Sequence, residues 1–458
     1  MDRVSVEKYN LPPFDDQDVI NGWKWFMSFI SPQEWQRRKL NIENLIAIRF
    51  KGSLPVSTNA SGEIRLVVRE DLIGWYLYLL DTLINEQYKY EYFQGSRIVP
   101  IFKSLGSDLD KVKSIKGIEK RIKDLIYKRK TEADALLFEI MTALLWTRNG
   151  YEVSFLAESE KKSPDLVATR AGETWNIECK RQSKTADYTY RETAKRQKML
   201  SHISAELIQR NLLLDITFHV EVEPLSDTFL KDVLENKLDS VRSGEIISND
   251  QVSIEVSFVD MDALQDHLAD WSVKNNSPML NQLIGKKPID NKAFSCGVYG
   301  RPFRVGDGEV NNLYFSEISY AFGVYWMVDA PEALSAKARD IKNQVHSALQ
   351  QFNSTDTAVI HVGMETFDGP QVEMKRLEKI DETLQKLQPN INNLKWIFCH
   401  FFQAYSPPDE CWVFDETVSA VSIGNLPKPP LERRLMVIPD DGDTAKNIWH
   451  WERPLRGK

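Results

Sequence analysis

The sequence predicts an α/β protein, and three features carry that reading. Apolar stripes at helical spacing fill most of the first 150 positions. Two short β-type runs then meet at Ala171-Gly172, and a strand–helix–strand alternation runs from Ala358 to Phe401. At 458 residues the chain has room for roughly two to four domains. We divide it into a mainly helical region at 1–115, a mixed core at 116–225, a β- and loop-rich stretch at 226–330 and a C-terminal α/β region at 331–458.

In the first region Ser31-Pro32-Gln33-Glu34 places Ser at an N-cap, Pro at the first helical position and Glu at the third. Trp23, Trp25 and Phe26 come before it; Trp35, Arg37, Arg38 and Lys39 come after. Aromatic and basic side chains interleaved in this way can stack on bases. The core of a small helical domain, or an oligomer contact, explains them more simply. Lys51 to Gly62 reads as a polar loop, and Leu72 to Ile84 as an apolar helix with Trp75, Leu79 and Leu83 in phase.

Within the core, Thr131-Glu132-Ala133-Asp134 resembles a capping box with Thr131 as N-cap. Leu136, Ile140 and Ala143 form the stripe of the helix that follows, and Glu139 lies inside that stripe. A carboxylate on a buried face is costly unless it is paired or metal-bound. Asn149-Gly150 ends the helix, and Tyr151 to Phe155 reads as a first strand. Two more strands flank Ala171-Gly172, where Gly accepts positive φ at no steric cost. On the second of them Trp175, Ile177 and Cys179 share one face, and Asn176, Glu178, Lys180 and Gln182 the other. Burial of one sheet face explains that alternation. It does not call for Asp165, on the neighbouring strand, to face Glu178 and Lys180.

A helix from about Thr189 to Leu212 follows, with Arg191, Lys195, Lys198 and His202 on one side and Leu200, Ile203 and Leu207 on the other. Ile216 to Val222 is the next strand. Beyond it the pattern suggests a charged helix over Leu225–Glu245, a strand over Val252–Val259 and a loop-rich stretch over Asn275–Asn312. That stretch holds several glycines with Lys286, Lys287, Arg301 and Arg304. Tyr320–Val328 reads as a strand and Pro331–Phe352 as a helix. Ala358–Val362, Val372–Leu387 and Leu394–Phe401 then form a βαβ-like unit, which either extends the core sheet or stands alone. Pro407-Pro408 and Pro427 to Pro430 mark turns. Cys399, His400 and Cys411 lack a fourth metal partner and read as core residues.

The net charge of −8 is unevenly placed. Counting Lys and Arg against Asp and Glu, residues 103–198 carry +6 and the remainder −14. Positive charge gathers where a polyanion would approach the suspected site. The start, Met1 to Glu7, lacks the layout of a signal peptide, and no apolar run reaches membrane-spanning length. The expectation is a cytoplasmic protein with no membrane partner; a homo-oligomer stays open. Four cysteines without C-x-x-C spacing argue against structural zinc and for a reducing compartment.

Two carboxylates facing one another on adjacent strands suit Mg²⁺, which prefers oxygen ligands and is usually held by one or two carboxylates, waters and phosphate. Pro164-Asp165, followed after the hairpin by Glu178-Cys179-Lys180, resembles the signature of the PD-(D/E)XK nuclease superfamily. The resemblance covers about residues 131–223. It implies a restriction-endonuclease-like α-β-β-β-α-β core and metal-dependent hydrolysis of phosphodiester bonds in nucleic acid, DNA ahead of RNA. Mg²⁺ would be the cofactor, with Mn²⁺ as its substitute. Asp165 and Glu178 would hold the metal, Lys180 would position or activate water, and Glu139 would match the extra carboxylate that a helix before the first strand supplies. Gln182, Arg191, Lys195 and Lys198 become candidate nucleic-acid contacts. Large members with added domains often serve bacterial defence or restriction, and the resemblance implies that role. The alternative is a catalytically silent nuclease-like module that binds nucleic acid or protein. Cys179, on the apolar side, reads as a small core residue.

Overall fold

The helix before the hairpin is apolar all round. In the computed structural model Ala133–Arg148 (α2) is buried without a break from Leu136 to Trp146, so it can only be an interior element. It follows Ile118–Tyr127 (α1), whose inner face carries Ile118, Ile122, Leu125 and Ile126. The described residues are 2–9, 12–49, 57–58, 67–156, 163–182, 186–235, 237–238, 241–286, 293–355, 357–387, 393–423, 428–438 and 449–452. Lys287, Pro427 and most of the Lys51–Gly62 stretch lie outside them. The expected N-cap at Thr131 is corrected by one residue: α2 opens after Glu132, whose carboxylate accepts from Arg129 (2.7 Å from Nη2) instead of capping the helix.

Ala171 and Gly172 both have positive φ, 50° and 85°. A two-residue type I′ hairpin requires that combination. It pairs Leu166–Arg170 (β2) with Glu173–Gln182 (β3), Leu166 opposite Ile177 and Arg170 opposite Glu173. Glu152–Phe155 (β1) forms the antiparallel edge beside β2. Asp187–Ser201 (α3) then leads the chain away, and Lys342–Leu349 (α4) brings it back to the open side of β3. There Ala358–Glu365 (β4) pairs parallel with β3 from Asn176 to Gln182. Pro370–Gln385 (α5) leads to Leu394–Tyr405 (β5), parallel to β4, and antiparallel Val413–Ser422 (β6) closes the sheet. The sheet order is therefore β6-β5-β4-β3-β2-β1. The late strand–helix–strand unit extends this sheet.

The helix and strand expected directly after β3 belong elsewhere. Leu212–Phe218 lies in a second mixed sheet, parallel to Leu313–Val328 and antiparallel to Val252–Phe258. Asp2–Val4, Ala293–Val305 and Glu245–Ser248 complete the main path of that sheet. α3 follows it there: Tyr188, Met199 and Leu200 pack with Phe218, Val324 and Trp326. The reason the sequence misleads is physical. Leu212–Phe218 and β4 are both apolar runs with nearly continuous burial, and either would fit an interior strand.

Other expectations shift as well. Ala293–Val305 is a thirteen-residue strand where a loop was expected. A Cβ on Gly297 would sit 2.4 Å from the Phe322 ring, and one on Gly300 2.0 Å from the Glu317 carbonyl oxygen, beside an irregularity in the pairing. These glycines mark close backbone approach within a strand. Among the described residues of the charged stretch only Phe229–Leu234 is helical, and the long helix over 331–352 breaks into Pro331–Lys337 and α4.

The N-terminal helices share one apolar core with the site sheet: Trp25, Phe26, Trp75 and Phe102 cluster with Leu136, Leu166, Ile177 and Phe398. The aromatic and basic cluster is thus mostly interior. Ser31 accepts from the Glu34 amide at 3.2 Å, as its sequence implies. Arg38 is buried on Asp71 (2.7 Å from Nε), and Lys39 is held by Asp81 (2.8 Å). Among the described residues no helix is long and apolar enough to cross a membrane.

Candidate active site

Register sets the site. With Leu166 opposite Ile177, Asp165, the residue before β2, falls beside Glu178 on β3. Its Oδ2 accepts from the Cys179 amide at 2.8 Å, which locks the carboxylate against β3. Lys180, two residues on and so on the same face as Glu178, donates to Glu178 Oε1 at 2.6 Å. From the α2 side Glu139 comes within electrostatic reach of Asp165. The four residues singled out for chemistry are thus brought together.

A fifth group was missed. Arg121 on α1 donates through Nε to Glu139 Oε2 at 2.7 Å, with Nη2 on the same oxygen, and lies 3.9 Å from Asp165 Oδ1. Its signal was in the sequence: Arg121 sits inside the stripe Ile118, Ile122, Leu125, Ile126, just as Glu139 sits inside the stripe of α2. The site therefore reads, in space, as Arg121, Glu139, Asp165, Glu178 and Lys180: three carboxyls bracketed by two cations.

Burial raises all three acids, and the Asp165 charge raises Glu178 and Glu139 further. Burial first, then Asp165, pushes Glu178 up to about 8 against the pull of Lys180. The same two causes bring Glu139 to about 7 against the pull of Arg121. Burial also lifts Asp165, although the Cys179 amide, Lys180 and Arg121 oppose it. Oε2 of Glu178, a residue only 3% exposed, has no hydrogen-bond donor among the described residues. An interior carboxylate oxygen in that position is costly as it stands. Oxygen donors of this kind, crowded enough to repel, fit a hard divalent cation. Among the described residues no three His, Cys, Asp or Glu side chains are grouped to hold a metal by themselves. A Mg²⁺ site here would rest on two carboxylates completed by water and phosphate, the usual arrangement.

The proposed nucleic-acid contacts are placed differently. Gln182 is buried, and its Nε2 donates to the Asp340 carbonyl at 2.9 Å, tying β3 to the segment before α4. Arg191 donates to Glu223 (2.8 Å) and Lys195 to Asp227 (2.7 Å), with Lys198 3.9 Å from Asp227. Lys195, first, holds Asp227 below the usual carboxylate range. The cationic stripe of α3 is therefore paired with the acidic segment after Phe218. Lys286 lies 3.9 Å from Asp260, Arg301 3.5 Å from Asp2, and Arg304 donates to Asn312.

Cys179 is interior, and burial raises its thiol well above the ordinary range. Cys399 and His400 are interior too. The Trp146 indole can only donate, so His361 Nε2 accepts (3.0 Å), and His361 Nδ1–H then donates to His400 Nε2 (2.9 Å). Burial keeps both imidazoles neutral. No protein-family model, no curated protein and no solved structure matches the chain.

Proposed function

We propose that the chain is a divalent-metal-dependent nuclease that hydrolyses phosphodiester bonds, DNA ahead of RNA, with bacterial defence or restriction as its setting. One observation carries this reading: Asp165, immediately before β2, lies beside Glu178 on β3, with Lys180 on Glu178 and Glu139 within electrostatic reach of Asp165. The strand order supports it. α2, three antiparallel strands β1–β3, then α4 and parallel β4 follow the α-β-β-β-α-β sequence of a restriction-endonuclease-like core. On this reading the segment between β3 and α4, with its own sheet, is an insertion into that core.

Asp165 and Glu178 would hold the ion, with Glu139 at its margin. When bound, such an ion polarises a phosphoryl oxygen and acidifies water. The chain's own part is positional and electrostatic. Glu178 fixes the Lys180 ammonium 2.6 Å away, at the edge of the carboxyl cluster, where it can orient a water or meet charge developing on phosphate. The Cys179 amide keeps Asp165 turned toward β3.

Relaxation of supercoiled plasmid in Mg²⁺ or Mn²⁺ tests the proposal. Asp165→Asn and Lys180→Ala should each lower the rate by about 100-fold or more. Equal cutting by wild type and both variants overturns it. The silent-module reading has one observation in its favour: Arg121 already neutralises Glu139 without a metal. Nucleic-acid binding that is indifferent to divalent ions, with no cleavage, would select it.

A further inference from the structure

We propose that Arg121 is the resident counter-cation of the carboxyl cluster, and that a divalent ion must displace it to load the site. The inference rests on the metal-dependent reading above and names the device that sets when the site loads.

The argument starts with how Arg121 is held. α1 springs from Gly117, in the left-handed region at φ 86°. Lys116 just before it is bonded to edge strand β1: its amide donates to Val153 (3.0 Å), and its carbonyl accepts from Phe155 (2.9 Å). One turn later the Arg121 side chain, 10% exposed, is delivered into the cluster with its guanidinium 5.6 Å from the centre of the Phe155 ring. Two of its nitrogens hold Glu139, and the contact with Asp165 is looser at 3.9 Å.

The charges then decide. With every group ionised, the three carboxyls and two cations sum to −1. A dication entering beside Asp165 and Glu178 reverses that balance and brings positive charge close to the guanidinium. Arg stays protonated at any working pH, so it cannot relieve the repulsion by losing a proton. It must swing away from Asp165 and Glu139, or it must weaken the ion. Either way Arg121 and the ion compete for the same negative charge, and the pair raises the metal concentration at which the site fills.

Mn²⁺ titration of the full, metal-free chain by electron paramagnetic resonance reads this competition directly. Arg121→Gln should tighten Mn²⁺ binding by about tenfold, an energy of the size that couples two linked ligands. Arg121→Lys, which keeps the charge, should stay close to wild type. A second measurement needs no variant. In the wild type, labelling of Arg121 by p-hydroxyphenylglyoxal, followed by peptide mass spectrometry, should speed up when Mg²⁺ is added. Three outcomes overturn the proposal, and they are distinguishable. If Asp165→Asn abolishes Mn²⁺ binding while Arg121→Gln leaves it unchanged or weaker, Arg121 is a structural pair and the nuclease reading stands. If Mg²⁺ leaves Arg121 as protected as before, the displacement is wrong and the nuclease reading again stands. If neither wild type nor Arg121→Gln binds Mn²⁺, both fall together.

Discussion

β2–β3 and α3 both stand out in the sequence by their charge, and the fold treats them in opposite ways. Around the strand pair, Asp165 and Glu178 are pressed together with Glu139 nearby; burial lifts all three acids, and the Asp165 charge lifts the two glutamates further. On α3, Arg191, Lys195 and Lys198 reach across the surface to Glu223 and Asp227, and no such conflict remains. The lesson is that the useful signal is charge placed where packing resists it. A stripe of like charge on a solvated helix face finds counter-charges at little cost. Charge that interrupts an apolar period must be compensated by something specific.

The largest effect should separate the two regions outright. Plasmid relaxation by an Arg191→Ala, Lys195→Ala, Lys198→Ala triple variant should stay within about threefold of wild type, since surface pairs screened by solvent contribute little. Asp165→Asn, by contrast, should lose about 100-fold or more. If the triple variant loses as much as Asp165→Asn, the paired stripe is the nucleic-acid surface after all, and the contrast fails.

The inner face of α3 sharpens the comparison. Glu192 is fully buried there, with Lys337 Nζ at 2.7 Å and Arg196 at 3.7 Å. Lys337→Met should destabilise the protein by about 3 kcal/mol, because it strands an interior carboxylate. Adding Glu192→Leu should recover most of that loss, since an apolar replacement of both partners removes the stranded charge. Denaturant midpoints measure both. One helix would then carry an outer stripe with little effect on stability and an inner pair with a large one.

How much of this was legible depends on the range of the forces involved. Alternation along Trp175–Gln182 and the turn at Ala171-Gly172 are local properties, and they put Asp165, Glu178 and Lys180 on one face; Glu139 was marked locally only as a carboxylate inside an apolar stripe, and its place beside them came from the resemblance. Arg121 was equally legible: opposite charges interrupt the stripes of two successive helices, and each explains the other. The return of the chain to β3 was not. Nothing local in Leu212–Phe218 or in Ala358–Glu365 says which sheet will take it, because both are interior strands. That choice is made by long-range packing, by α3 burying Met199 and Leu200 against the second sheet. Gln182 misled for a related reason. It shares the face of Glu178, but its amide is used by a backbone carbonyl 158 residues further along the chain.

The smallest effect concerns pH, and it tests whether the carboxyl cluster is truly in conflict. Burial, and then Asp165, raises Glu178 from an ordinary carboxyl to about 8; burial and Asp165 raise Glu139 to about 7. A carboxyl whose folded pKa lies above its unfolded one favours the folded state while both states are protonated, and loses that contribution as pH rises through the folded value. The metal-free protein should therefore lose stability between about pH 5 and pH 8. Glu178→Gln cannot ionise, so its melting temperature should match wild type near pH 5 and exceed it at pH 8 by about a few degrees. The same linkage works in the other direction on a bound ion, which needs the carboxylates unprotonated, so Mn²⁺ affinity should rise from pH 6 to pH 8. Melting curves that fall in parallel for wild type and Glu178→Gln would mean that the repulsion lies elsewhere. The strand pair would then be no different in kind from the surface of α3.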